Sequence, residues 1–396
     1  MKRSRLPLAD IVVADFSRVL AGPLATQMLA DAGARVIKVE EPERGDETRR
    51  WGPPFVRGVS AYFLSINRNK ESVAVDLKSD AGRKFGNALV KRADVVVDNF
   101  LPSQRETLGL DNVLRIHRRA IHCSISGFDA DSGDADTPGY DLLAQAASGI
   151  MAVTGEVTGE PMKVGVAISD VLTAHHAASA ICAALYAREK TGRGARIEIS
   201  LFSASVASLV NVTQNVLVTG KEAPRWGNAH ASIVPYQVFH GSDRAFAVGA
   251  GTDRHFAYLC DVIGRLDLLE DARFATNASR VEHRDELVPL LASIFKTKRA
   301  EEWVERCRRV MIPVALVQGA HEALESAAGR PLVVALDHAE VGRYETVRNP
   351  ILFGGERFPI RSAPPLLGEH TAKVMREVRL TAATRTKATK RRSRKE

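Results

Sequence analysis

The sequence lacks the features that define several large classes of proteins. Its four cysteines are far apart and form no C-x-x-C pair, which argues against a disulfide framework and against a zinc site. No apolar run reaches ~18 residues without a polar interruption, and the longest candidate, Val171 to Ala187, contains His175 and His176. The N-terminus has basic residues but neither the apolar core nor the cleavage site of a secretion signal. We therefore expect a cytoplasmic protein with reduced cysteines, no metal and no membrane span.

The excess positive charge is concentrated at one end of the chain. The formal net charge is +8, and residues 384–396 contain seven Lys or Arg side chains against one Glu. Because this stretch shows no apolar periodicity, we expect a disordered basic tail over 382–396. No aromatic residues separate its cations, so we expect weak phosphate attraction at most and no nucleic-acid partner.

Short apolar strands alternate with helices in the first part of the chain. Residues 10–16 (DIVVADF) and 34–40 (ARVIKVE) have the composition of buried strands, and the segment between them is helical up to Gly33. The alternation continues through ESVAVDL, DVVVDNF and AIHCSISGF. This pattern predicts an α/β fold with a Rossmann-like parallel sheet.

The length of 396 residues requires more than one core, so we expect two domains. Shorter strands, turns and helices over 225–325 predict a smaller α+β domain. Residues 335–380 have strand-turn-helix character and are expected to return to the first domain. The large domain would then comprise 1–220 together with 335–380.

The first loop of the sheet excludes the obvious cofactor. Its sequence is SRVLAGP, and it lacks the G-x-G-x-x-G glycines that bring a pyrophosphate close to a helix N-terminus. The fold is therefore expected to resemble a nucleotide-binding one without binding NAD.

Asp170 lies where a short extended run meets the long apolar helix. One interpretation is a helix N-cap, because an aspartate oxygen can accept an orphan backbone N–H. The other is a catalytic carboxylate held at a helix N-terminus. Spacing alone favours the cap.

A series of motifs reverses that preference. They include DFSRVLAGPLATQMLADAGARVIKVEEPERGDETR, NRNKESVAVDLKSDAG, VDNFLP, PGYDLLAQAASGIMAVTGE, VGVAISD, REKTGRGARIEISL and APPLLGEHT. In this order, over residues 6–380, the chain resembles the family III CoA-transferases, which include formyl-CoA and carnitine CoA-transferases. The resemblance implies that Asp170 is a nucleophile, that the substrates are an acyl-CoA thioester and a carboxylic acid, and that no cofactor is permanently bound. It also implies an interlocked homodimer, whose large CoA-binding domains are built from both chain ends.

The same resemblance implies a set of CoA-binding residues. The thioester end would be lined by Val19, Leu20 and Ala21, and the nucleotide would lie along Val75 to Lys78. The remaining positions are Asn99 and Phe100 in the CoA channel, with Tyr140 and Asp141 flanking the active site.

The chain departs from its relatives in ways that bear on the acceptor. Formyl-CoA transferases have Gln where this chain has Leu20, and many members have Arg where it has Thr107, with Arg105 the candidate replacement. The segment GNAHASIVPY is similar to members that use succinyl-CoA and dicarboxylates. These features favour a dicarboxylic acid acceptor over formate or oxalate.

Two other functions compete with CoA transfer. An α-methylacyl-CoA racemase or epimerase shares the fold but uses a His/Asp pair, and here Tyr140 stands where that His is expected. A tyrosine has an ordinary pKa of ~10 and is a poor base near neutral pH. A non-catalytic CoA-binding protein would have no need to retain Asp170.

Overall fold

A computed structural model of the protein describes residues 6–378. The predicted basic tail, 382–396, lies outside the described residues. The described chain forms two compact units. Within the described residues, the first comprises 6–150, Lys163–Lys221 and 330–378, and the second is Met151–Met162 with Glu222–Gly329.

The elements run in the following order. Up to residue 150 they are β1 (Val12–Asp15), α1 (Ala21–Asp31), β2 (Arg35–Glu40), a 3-10 helix (Glu47–Arg50), β3 (Phe55–Val56), β4 (Val59–Ser60), α2 (Ala61–Ile66), β5 (Lys70–Ala74), α3 (Asp80–Val90), β6 (Val95–Asp98), α4 (Pro102–Leu108), α5 (Val113–Ile116), β7 (Ile121–Ser126) and α6 (Asp141–Ala147). The next are α7 (Ile150–Val153), α8 (Ile168–Thr191), β8 (Ala195–Ser200), α9 (Leu201–Ser208) and α10 (Asn211–Thr219).

The later part of the chain continues the series. The elements between residues 222 and 329 are β9 (Tyr236–His240), β10 (Ala245–Gly249), α11 (Asp253–Ile263), α12 (Asp267–Glu270), α13 (Asn277–Glu282), α14 (Arg284–Phe295), α15 (Ala300–Arg309), β11 (Val314–Leu316) and α16 (Ala320–Glu325). They are followed by a 3-10 helix (Arg330–Leu332), β12 (Val333–His338), β13 (Gly342–Val347), β14 (Leu352–Phe353), β15 (Glu356–Arg357) and a helical segment over 371–378.

The first unit is built on a six-stranded sheet in the order β5-β2-β1-β6-β7-β8, with every pair parallel. The chain runs outward from β1 through β2 to β5, and then restarts on the other side of β1 with β6. Central strands such as β6 are apolar and fully buried, because helices cover both sheet faces. This confirms the predicted α/β class. The reversal of strand order leaves a crevice beyond the carboxyl ends of β1 and β6, where α/β proteins bind ligands.

The end of the chain is bonded to the edge strand of this sheet. The backbone N–H of His370 donates to the Ser72 carbonyl at 2.9 Å, and the Ala74 N–H donates to Thr371 Oγ1 at 3.0 Å. In addition, the Gly368 N–H donates to Ser72 Oγ at 2.9 Å. Residues from both ends of the chain therefore belong to the first unit.

Helix α8 is a core helix of the first unit. It is long and apolar enough to span a membrane by length and composition alone. However, Ala174, Ala177, Ile181 and Leu185 are buried in the main apolar cluster together with strand residues of the sheet. Burial of one helix stripe against a sheet is the usual arrangement of an α/β core, so one face of α8 belongs to the core of the first unit.

The second unit has a three-stranded antiparallel sheet in the order β11-β10-β9. Its core centres on Phe295, whose ring lies 5.4 Å from that of Trp303. The segment Met151–Met162, which the sequence places in the large domain, belongs to this unit. The Arg225 guanidinium donates to the carbonyls of Ala152 at 3.2 Å and Glu156 at 3.1 Å. Such a long-range side-chain contact leaves no periodic signal in the sequence.

Candidate active site

A cavity of about 250 Å³ opens at the point where the strand order of the sheet reverses. Its walls come from the loops after β1 and β6, the end of β7, the 3-10 helix Glu47–Arg50, the segment before α6, and the first turns of α1, α4, α8 and α9. The lining residues are Arg18, Val19, Ala21, Glu47, Asn99, Phe100, Leu101, Gln104, Ile125, Ser126, Gly127, Pro138, Gly139, Tyr140, Asp170 and Leu201. Two carboxylates, Glu47 and Asp170, therefore face the same space.

Asp170 is not the N-cap of α8. The helix begins at Ile168, so Asp170 is its third residue, and the N-cap residue Ala167 has no capping side chain. Asp141 supplies the cap from outside the helix, because its Oδ1 accepts the Ser169 N–H at 2.8 Å. The other Asp141 oxygen accepts a hydrogen bond from Gln145 Nε2 at 2.7 Å. The N-cap role that spacing alone favours for Asp170 is therefore wrong, because Asp141 caps the helix instead.

The surroundings of Asp170 make it a basic carboxylate. Burial raises its pKa from 3.8 to about 7, and the nearby negative charge of Asp141 acts in the same direction. The backbone N–H of Ala21, the first residue of α1, opposes this by donating to the carboxylate. Near neutral pH, Asp170 is thus partly ionised and poorly solvated, which is the condition of an activated nucleophile.

The loop that brings Ala21 to Asp170 has a strained backbone. Val19 has a φ of +68°, which is unusual for a β-branched residue. Its N–H points to the Asp46 carboxylate at 3.3 Å. The preceding residue, Arg18, is fixed by Asn99, whose amide accepts from the Arg18 N–H at 2.9 Å and donates to the Arg18 carbonyl at 2.8 Å. Strain of this kind persists where surrounding contacts determine the conformation, often at functional sites.

A buried set of charges supports this loop. Lys38 is fully buried, and its Nζ lies 2.8 Å from Asp46 Oδ2 and 2.8 Å from the Ser17 carbonyl. Although burial disfavours the ionised form of Asp46, the Lys38 charge lowers the pKa of Asp46 to about 2. Nearby, Lys70 pairs with Asp15 at 3.2 Å. The first ion pair ties β2 to the loop that contains Asp46, which accepts the Val19 N–H, and the second ties β5 to the end of β1.

A second cavity of about 160 Å³ shares Arg18 and Phe100 with the first. Val75 and Lys78, the residues expected along the nucleotide, line this second cavity. Lys78 is exposed, and its backbone N–H donates to Asp76 Oδ1 at 2.9 Å at the turn that precedes α3.

Most of the residues implied by the resemblance lie around these two cavities, but three lie elsewhere. Leu20 is buried as the N-cap residue of α1 and lines neither cavity. Arg105 is also buried, on α4, and likewise lines neither, whereas Thr107 bonds to the Ser103 carbonyl at 3.1 Å. Asp141 does not line the main cavity, although its negative charge acts on Asp170. The Arg105 guanidinium therefore offers no positive charge to a ligand in these cavities, and Thr107 carries none.

Other residues in the cavity walls were not predicted, notably Arg18, Glu47 and Gln104. Arg18 could have been predicted from the sequence, because it lies in the SRVLAGP loop directly before Val19, Leu20 and Ala21. Tyr62 was also missed. Burial, and then the negative charge of Asp170, raises the pKa of Tyr62 to about 12, so a neutral phenol stands within electrostatic range of Asp170.

A Ser-His-Asp cluster lies in the sheet, and its geometry is structural. Asp98 Oδ2 is 2.7 Å from His122 Nε2 and accepts from Ser124 Oγ at 3.2 Å. Ser124 Oγ is also 3.3 Å from the same His122 nitrogen. All three side chains are buried, and Asp98 Oδ1 accepts the Phe100 N–H at 3.3 Å. The cluster therefore fixes the end of β6, and so the wall of the cavity.

Known proteins resemble this chain over most of its length. The sequence model of the family described as "CoA-transferase family III" matches residues 8–371. A succinyl-CoA:glutarate CoA-transferase of Mus musculus is 39% identical over 379 residues, covering 95% of this chain and 87% of the relative. A succinate–glutarate CoA-transferase of Agrobacterium fabrum (strain C58) is 38% identical over 388 residues, covering 96% and 97%. The crystal structure of a CAIB/BAIF family protein from Brucella suis, 37% identical, superposes with a TM-score of 0.83 over 94% of this chain and 99% of that one.

Proposed function

The chain belongs to CoA-transferase family III and is an enzyme that transfers CoA; from that premise we propose that it moves CoA from succinyl-CoA to a dicarboxylate of about glutarate size, through Asp170. The observation that carries the role of Asp170 is its position. It is a carboxylate with a raised pKa, on the wall of the cavity, beside the N–H of Ala21. The succinyl-CoA and glutarate assignment rests on relatives that carry those names.

The reaction proceeds through two anhydrides and one covalent thioester. The ionised Asp170 oxygen attacks the succinyl-CoA carbonyl, forming a succinyl–aspartyl anhydride and releasing CoA thiolate. The thiolate attacks the aspartyl carbonyl, which gives an aspartyl-CoA thioester and frees succinate. The acceptor carboxylate then attacks this thioester, and the released thiolate attacks the acceptor carbonyl of the new anhydride. The products are the acceptor-CoA thioester and the regenerated Asp170 carboxylate, so thioester energy is retained throughout.

The proposed roles of the other residues follow from their places in the cavity walls. The Ala21 N–H is positioned to stabilise oxygen charge on the aspartyl group as it reacts. Val19, Asn99, Phe100 and Tyr140 line the path to Asp170. Val75 and Lys78 are proposed to contact the nucleotide of CoA, and Asp141 to position α8 and to keep the Asp170 carboxylate basic.

The racemase alternative receives no support from the cavity. Among the described residues that line it, none is a histidine. Tyr140, which stands at the position where a racemase histidine is expected, is a half-exposed phenol at the start of α6. The other carboxylate of the cavity, Glu47, is paired with Arg18 at 3.3 Å, so the cavity offers Asp170 no histidine partner for exchange of an α-proton.

We also propose that the active form is a cytoplasmic homodimer. No residue of α10 is buried, and two of its apolar residues, Leu217 and Val218, are 78% and 74% exposed. Tyr186 on α8 is 66% exposed. Exposed apolar residues such as the adjacent Leu217 and Val218 are typical of interaction surfaces, and the resemblance supplies a second copy of the chain as the partner. The four cysteines are all free, which suits a reducing compartment.

The test is an exchange assay. Purified protein is incubated with succinyl-CoA and glutarate in deuterated water, and the CoA thioesters are separated and weighed by mass spectrometry. Glutaryl-CoA without α-deuterium is expected from the wild type, and Asp170→Ala should lower its rate by a factor on the order of 10³ or more. Deuterium incorporation without exchange would instead identify a racemase, and neither product would identify a CoA-binding protein.

A further inference from the structure

Arg18 stands at the junction of the two cavities. It lines the cavity that contains Asp170 and also the cavity that contains Lys78. Its backbone is held on both sides by the Asn99 amide, and its guanidinium lies 5.2 Å from the centre of the Phe100 ring. Phe100 is the other residue common to both cavities.

The guanidinium of Arg18 has unused hydrogen-bonding capacity. One nitrogen, Nη1, lies 3.3 Å from Glu47 Oε1. Its Nε is shielded from solvent and has no hydrogen-bond acceptor among the described residues. A buried N–H without an acceptor costs free energy, so the site is better satisfied when an anion is present.

Arg18 is the cation best placed to bind an anion where the two cavities meet. Lys38 is fully buried and already bonded to Asp46 and to the Ser17 carbonyl. Lys78 is exposed and lines the second cavity but not the cavity of Asp170. Arg18 is also the one cation among the described residues that line the cavity of Asp170.

We propose that Arg18 binds the diphosphate of CoA, and that it leaves Glu47 to do so. This inference rests on the proposed function, because it takes the thioester to lie at Asp170 and the nucleotide to lie beside Lys78. In CoA, the diphosphate joins the pantetheine arm to the adenosine. A CoA that spans both cavities must place that linkage where they meet. A planar guanidinium suits two phosphate oxygens at once. The side chains of Arg18 and Glu47 are 42% and 37% accessible. Half-exposed ion pairs contribute little to stability, so breaking this pair to bind a phosphate costs little free energy.

The experiment measures binding by calorimetry, with CoA, 3′-dephospho-CoA and ADP as separate ligands. These three share a diphosphate and differ in the 3′-phosphate and the pantetheine arm. Arg18→Met should weaken the Kd of all three by a similar factor of about 10 to 100, because a hydrogen bond to a charged group is lost. Arg18→Lys should recover part of the loss. The matched control is Arg309→Met, which removes an equal charge from an exposed side chain paired with Glu305 on α15, and it should leave all three Kd values unchanged.

A second variant checks the Glu47 part of the proposal. Glu47→Gln should tighten CoA binding by about two- to five-fold, the range of a half-exposed ion pair, and should have no effect in the Arg18→Met background. This gain of affinity cannot arise from a folding defect.

Three results would overturn the inference. Loss of affinity for CoA but not for 3′-dephospho-CoA would assign Arg18 to the 3′-phosphate. Loss for both of these but not for ADP would assign it to the pantetheine arm. Unchanged affinity for all three would remove Arg18 from the site. Because the readout is binding, failure of the exchange assay in the wild type would count against the proposed function and would not alter these results.

Discussion

Replacement of Asp141 by Asn should shift the pH dependence of the enzyme toward acid. Asp141 caps α8 through the Ser169 N–H at 2.8 Å, and an Asn oxygen can accept the same bond. What the change removes is the negative charge that helps to raise the pKa of Asp170. The change also removes the acceptor of the Gln145 Nε2 hydrogen bond at 2.7 Å. Because the Ser169 bond is kept, α8 should keep its start, and the effect on Asp170 should be mainly electrostatic.

The size of the shift follows from the causes that act on Asp170. Its pKa rises from 3.8 to about 7, first through burial and second through the Asp141 charge, against the opposing Ala21 N–H. Because burial is the larger cause, the share of Asp141 is on the order of one pH unit, or about 1.4 kcal/mol. Removal of that charge should lower the pKa of Asp170 by about that amount.

The assay is kcat/KM for succinyl-CoA between pH 5 and 9, which reports ionisations of the free enzyme. Since Asp170 must be ionised to attack, the wild-type value should fall as pH drops below about 7. The acid limb of Asp141→Asn should lie about one pH unit lower. Asp80→Asn, a change of equal charge at an exposed residue of α3, should not move the limb. An unmoved or raised limb in Asp141→Asn would show that Asp141 does not tune the nucleophile.

Two further changes test the energetics of the site. Asp170→Asn should stabilise the folded protein above about pH 4, because a carboxyl whose folded pKa is raised to about 7 makes the fold progressively less stable as pH rises from its unfolded pKa to its folded pKa. From a displacement of roughly three pH units, discounted for partial solvent exposure, we expect a gain of about 2 kcal/mol in the free energy of unfolding at pH 8 and almost none near pH 4. Denaturant melts at both pH values measure this, and equal stabilities at pH 8 would contradict the raised pKa. Lys38→Met should lower the free energy of unfolding by about 3–5 kcal/mol, because it leaves Asp46 buried without its cation. A melt that matches the wild type would show that the ion pair between Lys38 and Asp46 is dispensable.

The sheet could be predicted from the sequence because its strands are short, apolar runs. Residues 10–16 and 34–40 contain β1 (Val12–Asp15) and β2 (Arg35–Glu40), and the alternation with helices fixed the parallel class. The position of the crevice then follows from topology, since the strand order reverses between β1 and β6. Local periodicity therefore located the region of the site.

The features that the sequence did not predict depend on contacts between distant residues. The start of α8 at Ile168 depends on the hydrogen bond between Ser169 and Asp141, which are 28 residues apart in the sequence. The positive φ of Val19 has no local signal, because a valine rarely adopts it. Arg18 was passed over because its significance lies in the meeting of two cavities. Leu20 and Arg105 were selected through the resemblance, and both are buried away from the cavities.

The proposal that Asp170 carries CoA can be tested directly by trapping the intermediate. The enzyme is mixed with succinyl-CoA in the absence of an acceptor, treated with hydroxylamine, digested and examined by peptide mass spectrometry. An aspartyl thioester should be converted to a hydroxamate, and we predict that modification on Asp170 alone, dependent on succinyl-CoA. Glu47 is the internal comparison, because its carboxylate faces the same cavity. Modification of Glu47, or an unmodified Asp170 in an enzyme that still exchanges CoA, would contradict the account.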